Sequence, residues 1–305
     1  MQILHAHSPQ LKSPTAVALG MFDGVHLGHR EVIQAALDYA SSKEIKTAVI
    51  TLANHPRQLT QGTAPKLITN LDTRLALFEE LGIDYALVLE FNEELMNTSA
   101  QEYLEKYLLS ILNVNFISTG YDHHFGKNRS GTPLMLQSWA LEHRIKLEII
   151  PAHQFKNQII SSSNIRNLIA QGELEEANSL LGYKFMIISQ VIEGDKRGAQ
   201  LGFPTANLKL PEDMVIPAKG VYCGQAQIKG ETYSCIMNIG TRPSFTDSNE
   251  VIIEAHILNF QNNIYGQTIT LRLERKLRDE IKFNSAESLI KQIQKDIQQL
   301  GQVEI

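Results

Sequence analysis

The chain has 305 residues, about twice the usual size of one domain core, so two domains are expected. Its 28 Lys and Arg against 33 Asp and Glu leave a net charge of -5, which excludes the basic footprint of a non-specific nucleic-acid binder. No apolar run approaches the ~18 residues that span a bilayer, Met1–His7 has no basic region followed by an apolar core, and Cys223 and Cys235 lack metal-ligand spacing, so a soluble cytoplasmic protein with reduced, packing cysteines is expected, with neither membrane nor nucleic acid as partner.

In chain order, Thr15–Gly20 reads as a buried strand and Glu31–Leu37 has helical spacing. Between them, Gly20-Met21-Phe22-Asp23-Gly24-Val25-His26-Leu27-Gly28-His29 places two histidines three apart where strand becomes helix. A helix N-terminus offers unpaired N–H groups and a positive dipole end, so phosphate oxygens are favoured there. His26 and His29 add side-chain donors, and glycines let the backbone turn and let a nucleotide lie close. The pattern suits a triphosphate.

Strands at Lys46–Thr51, Tyr85–Leu89, Phe116–Gly120 and Lys146–Ile150 alternate with helices near Thr73–Leu81, from Ser99, and around Leu134–Glu142. Such alternation implies a mostly parallel sheet whose ligands lie beyond the carboxyl ends of the strands. Tyr121–Gly131, rich in glycine, polar and basic residues, follows one such end and reads as a substrate loop. Ser161, Ser162 and Ser163 then supply hydroxyl caps to a helix with Arg166 in its first turn, a second phosphate cradle.

After Tyr183 the helical patterning gives way to short strands separated by Gly, Pro and Asn. The expected domains are therefore 1–183 and 184–305, the second a small antiparallel barrel. A closing helix capped by Ser285 carries Leu289, Ile293, Ile297 and Leu300 on one face, expected to pack on the barrel. Gly194–Asn207 holds Gly194, Gly198 and Gly202 for close backbone approach to phosphates, and Thr205 and Asn207, two apart in an extended segment, point the same way. Their hard neutral oxygens suit Mg²⁺ shared with nucleotide phosphates. Glu254 interrupts an apolar strand, facing away from Ile253, Ala255 and Ile257.

Phe22–His29 resembles the signature of the histidine-x-glycine-histidine nucleotidyltransferases, and in this extended form the adenylyltransferase half of the prokaryotic bifunctional riboflavin kinase/FAD synthetase family. Tyr121–Gly131 and Ile160–Arg166 resemble the later motifs of that half; Gly194–Asn207 resembles the riboflavin kinase signature, and Asn238–Phe245 and Arg278–Phe283 other segments of the kinase half. The resemblance covers nearly the whole chain. It implies a Rossmann-like nucleotidyltransferase domain with a parallel sheet, followed by the barrel with its terminal helix. It further implies riboflavin, FMN and ATP as small-molecule partners, ATP being co-substrate and Mg²⁺ the metal in both steps.

Carried over residue by residue, the resemblance makes Glu254 the base for riboflavin phosphorylation and gives His26, His29, Ser162 and Arg166 to the pyrophosphate leaving in adenylylation. It assigns Gly20, Phe22, Asp23, Gly24, Gly28, Ser161, Ser162, Ser163, Gly194, Gly198 and Gly202 to nucleotide binding. Asp122, Phe125, Arg129 and Arg278 go to flavin, Thr205 and Asn207 to the metal. Two positions depart from the family pattern: Ala53 replaces an acidic residue before His55-Pro56, and Asn259 stands where aspartate is common. Open alternatives are a kinase whose adenylyltransferase half is weakened or inactive, a pantetheine-type or cytidylyl-type transferase, and a non-catalytic flavin- or nucleotide-binding module. Oligomeric state, a homo-oligomer included, is left open.

Overall fold

The structure, a computed structural model, describes residues 1–155, 158–194, 198, 201–241 and 251–300. Parts of the Gly194–Asn207 segment (195–197 and 199–200) and of the Asn238–Phe245 segment (242–245) lie outside the described residues. The chain divides into two compact units, Met1–Ser162 and Ser163–Ile305.

The first unit is a six-stranded sheet of β1 (Gln2–Leu4), β2 (Thr15–Leu19), β3 (Lys46–Leu52), β4 (Tyr85–Leu89), β5 (Val114–Gly120) and β6 (Lys146–Ile150), in the order β1-β4-β3-β2-β5-β6. Every neighbouring pair is parallel. Central β2 is buried at all five positions, as a parallel strand covered on both faces must be. Its helices are α1 (Leu27–Lys43), α2 (Arg57–Gln61), α3 (Leu71–Glu80), α4 (Glu93–Asn97), α5 (Ala100–Tyr103) and α6 (Pro133–Glu142). Short polar caps start several of them: Asn70 accepts from Thr73 N at 2.9 Å at the head of α3, and Ser99 and Glu102 form a capping box on α5. The helix expected from Ser99 continues beyond α5 as a π-helix, Leu104–Leu109, whose Leu104, Tyr107 and Leu108 join Val17, Ile50 and Leu87 of the sheet in one apolar core. A two-stranded hairpin of β7 (Gln154–Phe155) and β8 (Gln158–Ile159) leads out of β6.

In the second unit, α7 (Ser162–Gln171), which starts at the last residue of the first, and α8 (Leu174–Leu181) precede a closed barrel. Its strands β9 (Phe185–Ile192), β10 (Ala206–Lys209), β11 (Gly220–Ile228), β12 (Glu231–Thr241), β13 (Val251–Ile257) and β14 (Thr268–Arg278) pair antiparallel in the order β10-β13-β12-β11-β14-β9. Asn178 ties α8 to this barrel: its Nδ2 donates to the carbonyls of Leu273 and Glu274, both at 3.0 Å, and its Oδ1 accepts from Phe185 N at 2.7 Å. α8 therefore groups with the barrel although the sequence changes texture only after Tyr183.

The closing helix α9 (Ala286–Leu300) is capped by Ser285, whose Oγ accepts from Ser288 N at 3.2 Å. Its stripe Leu289, Ile293, Ile297 and Leu300 is only half-buried. The side chain it sinks is Asp296, 2 % exposed, which takes Arg278 Nε at 3.0–3.1 Å and Nη2 at 2.8 Å. Removing one partner of such a pair strands a buried charge, at a cost of about 3–5 kcal/mol. Asp296→Ala is therefore expected to lower the barrel's melting temperature sharply, and Asp296→Leu with Arg278→Met to recover most of it. Equal melting of Asp296→Ala and wild type in calorimetry would contradict this role.

Candidate functional site

The Gly20–His29 segment leaves β2 in a backbone path that L-residues seldom take, with φ of 56° at Phe22, 86° at Gly24 and 37° at Val25. It is held from behind. Arg74 on α3, fully buried, donates through Nη1 to the Met21 carbonyl (2.9 Å), Thr51 Oγ1 (2.8 Å) and the Leu52 carbonyl (2.8 Å), and through Nη2 to the Thr69 carbonyl (3.4 Å). Asp23 Oδ1 accepts from the backbone of Ile68 (2.9 Å) and Thr69 (3.1 Å), while Gly24 N donates to Thr69 Oγ1 (2.9 Å). Asp23 and Gly24 were expected at the nucleotide; the structure places both in this latch, away from the cavity wall. Gly20 is required by contact, since a Cβ there would meet the Phe22 ring at 2.8 Å.

His26 caps α1: its Nδ1 accepts from His29 N at 3.3 Å, which leaves the ring proton on Nε2. The His26 and His29 rings stack at 3.6 Å. Burial pushes His26 down to about 4, with His153 lowering it further against a backbone hydrogen bond. Burial, then His26 and Arg74, holds His29 well below the ordinary histidine value. Both rings are neutral near pH 7, so they present N–H donors and no charge, beside the free amides of the helix start.

A cavity of about 1000 Å³ opens over the carboxyl ends of β2, β3, β5 and β6, as the sheet order dictates. Gly20, Phe22, His26, Gly28, His29, Ser161 and Ser162 line it together with Asp122, Phe125 and Arg129, so the structure brings most of the expected first-unit residues to one place. Ser162 Oγ donates to the Asp23 carbonyl at 3.0 Å, joining the second cradle to the first. Phe91, Leu95, Met96 and Tyr103, which the sequence reading missed, add an apolar wall near Phe125. Asn54, beside the departure at Ala53, accepts from Phe91 N at 2.7 Å and donates to its carbonyl at 3.0 Å, fixing that wall. Arg74 was also missed; its one signal was a cation on the helix face that also carries Thr73, Leu77 and Phe78. Ser163 and Arg166 fall in the second unit, where Arg166 Nη1 lies 3.5 Å from Ser163 Oγ.

In the barrel, Asn207, Glu254 and Asn238 are register partners across β10, β13 and β12, one row on three adjacent strands. Ile253, Ala255 and Ile257 are buried while Glu254 is not, as the alternation predicts. Gly194 lies so close to this row that a Cβ would come within 2.2 Å of Asn207 Nδ2. Gly198 accepts from Leu201 N (3.1 Å) and Phe203 N (2.9 Å) to close the turn that carries Gly202, φ 88°. His256 Nδ1 donates to the Pro204 carbonyl at 2.8 Å and so fixes the approach to Thr205. Arg278, expected at the flavin, has its guanidinium committed to Asp296 and, through Nη1, to the Asp279 carbonyl at 3.1 Å; the structure makes it a helix anchor.

The depressed histidines carry a stability consequence. With His26 near 4 folded and near 6.5 unfolded, the unfolded chain binds more protons between those values. Stability is then present above about pH 6.5 and lost as pH falls toward 4, by roughly 1.4 kcal/mol per unit for each such histidine. The urea midpoint of the first unit is expected to drop from pH 7 to pH 5, and less steeply in His26→Asn, which keeps a capping side chain. Parallel pH profiles for the two proteins would contradict a buried neutral His26.

A family profile described as FAD synthetase matches residues 8–164, and one described as riboflavin kinase matches residues 181–303. A bifunctional riboflavin kinase/FMN adenylyltransferase of Listeria monocytogenes is 39% identical over 284 residues, 92% of this chain and 90% of that protein. One from Bacillus subtilis is 35% identical over 305 residues, 98% of this chain and 96% of the relative. Among solved structures, one described as a macrolide-efflux protein from Streptococcus pneumoniae superposes over 100% of both chains with a TM-score of 0.88 and 28% identity. Two matched profiles, in the order of the two units, and relatives similar along almost the whole length place this chain in the bifunctional riboflavin kinase/FMN adenylyltransferase family.

Proposed function

We propose that the barrel phosphorylates riboflavin with ATP, giving FMN and ADP, and that the first unit joins FMN to AMP from a second ATP, giving FAD and pyrophosphate. The functional division in this reading is 1–183 and 184–305. The observation that carries it is a single cavity lined by neutral imidazole donors and a helix start together with an apolar wall near Phe125. Such a site fits a polyphosphate and a flat ring.

In adenylylation a phosphate oxygen of FMN attacks the α-phosphorus, that O–P bond forms as the bond to the β-phosphate oxygen breaks, and pyrophosphate leaves. His26 and His29 donate to it, with Ser161 and Ser162 beside them; Arg166, in the helix that continues from Ser162, is carried by the same reading as a phosphate ligand. Asp122, Phe125 and Arg129 serve the flavin. Catalysis is positioning and stabilisation of charge, without a covalent intermediate. In phosphorylation Glu254 takes the proton of the terminal ribityl hydroxyl as its oxygen bonds to the γ-phosphorus and ADP departs.

Thr205 and Asn207 fit Mg²⁺, for they offer neutral oxygens beside a backbone at Gly194 that leaves space for no side chain. Mg²⁺ held by these oxygens would supply charge neutralisation to the ATP phosphates. Among the described residues no helix is long and apolar enough to cross a membrane, and the reading places the enzyme in the cytoplasm with small molecules as its partners.

Incubation with riboflavin, ATP and Mg²⁺, followed by separation of the flavins, is expected to yield FMN and then FAD. Glu254→Gln should slow FMN formation by about 10²–10⁴-fold and leave supplied FMN converting to FAD, while His26→Asn with His29→Asn should do the reverse. Loss of both activities in either folded variant would count against separate sites, and FMN without FAD in the wild type would retire the adenylylation step.

A further inference from the structure

A third imidazole lines the cavity, and the mechanism above gives it no work. His153 follows β6, and its carbonyl accepts from Ile160 N at 3.1 Å, which closes the β7–β8 hairpin and sets His153 beside Ser161 and Ser162. On its other side it packs on α1: a Cβ on Gly28 would meet His153 Cβ at 3.3 Å and the His26 ring at 3.4 Å. His26 and His153 thus flank the same bare backbone in the first turn of the helix. Glu31, on the same helix, reaches to the ring, with Oε1 2.5 Å from His153 Nδ1. A carboxylate only accepts, so Nδ1 carries a proton, and Nε2 is the ring atom left for the cavity that His153 lines.

We propose that His153, held by Glu31, is a further ATP-phosphate ligand of the adenylylation site, binding doubly protonated with Nε2–H donated to an oxygen of the departing pyrophosphate. The proposal rests on the adenylylation reading. It supplies what the stacked pair does not, because burial keeps His26 and His29 uncharged. With a carboxylate on one face and a polyanion on the other, the charged ring is the favoured form in the complex. The ionisable groups set against it are Glu31 on α1 and His26 at the head of that helix. His26, pushed down to about 4 by burial, stays neutral beside it.

The test uses the full-length protein and MgATP, with supplied FMN as acceptor. At pH 6.5, His153→Gln is expected to raise the KM for MgATP about tenfold, with kcat and the KM for FMN within twofold. Glu31→Gln should shift the same constant in the same direction. The wild-type KM for MgATP should rise from pH 6 to 8.5, and that slope should be flat in His153→Gln. Riboflavin phosphorylation should stay within twofold in both variants. An unchanged KM for MgATP with an unchanged pH slope, or a fall in kcat alone, would overturn the proposal. If the wild type forms no FAD, the adenylylation reading fails instead, and titration with pyrophosphate decides for His153: about tenfold weaker binding by His153→Gln upholds it as a phosphate ligand, equal binding refutes it.

Discussion

The first unit depends on one buried cation. Arg74 ties the start of the Gly20–His29 loop, through the Met21 carbonyl, to the end of β3 at Thr51 and Leu52 and to the turn at Thr69. Asp23 adds a second tie to that turn from the loop side. A loop with non-glycine residues at positive φ persists only if its surroundings over-determine it, and these bonds are the surroundings. With the loop fixed, His26 falls at the cap of α1 and His29 one turn on, so two imidazoles and the start of the helix share one opening.

The same brace sets the electrostatics of the opening. A guanidinium behind His29 and a second imidazole against it add to burial in keeping that ring unprotonated. The opening therefore presents preorganised N–H dipoles without charge, and such donors count for more where water is excluded than they do in water. Elements that arrive later in the chain complete the lining: the Tyr121–Gly131 loop brings the Arg129 guanidinium, and the segment after β6 brings His153. The barrel solves a related problem by other means: Asn207, Glu254 and Asn238 lie side by side because antiparallel register puts them there, and Gly194 gives them room.

Much of this was legible in the residues. Alternating strand and helix patterns pointed to the parallel sheet and the change of texture to the barrel; local motifs singled out His26 and His29, which the structure stacks at one opening, and Asn207 and Glu254, which it sets in register, because their neighbours are close in sequence or fixed by strand alternation. What escaped was set by distant partners. Asp23 looked like a ligand of the motif, but its carboxylate is taken by backbone 45 residues away. The partner that Arg278 takes, Asp296, sits on a helix of which the apolar stripe alone drew attention. Arg74 shows only as a cation on the buried face of its helix and His153 shows nothing local; their partners, Met21 and Glu31, stand 53 and 122 residues off. Periodicity reports a residue's own face and not who arrives opposite.

The central claim is that one chain holds nucleotide phosphates in two independent places, and stoichiometry tests it most directly. Calorimetric titration with a non-hydrolysable ATP analogue and Mg²⁺ should reach two equivalents per chain, falling to one when His26 and His29 are both replaced by asparagine. Saturation of the unaltered protein at a single equivalent would contradict the account.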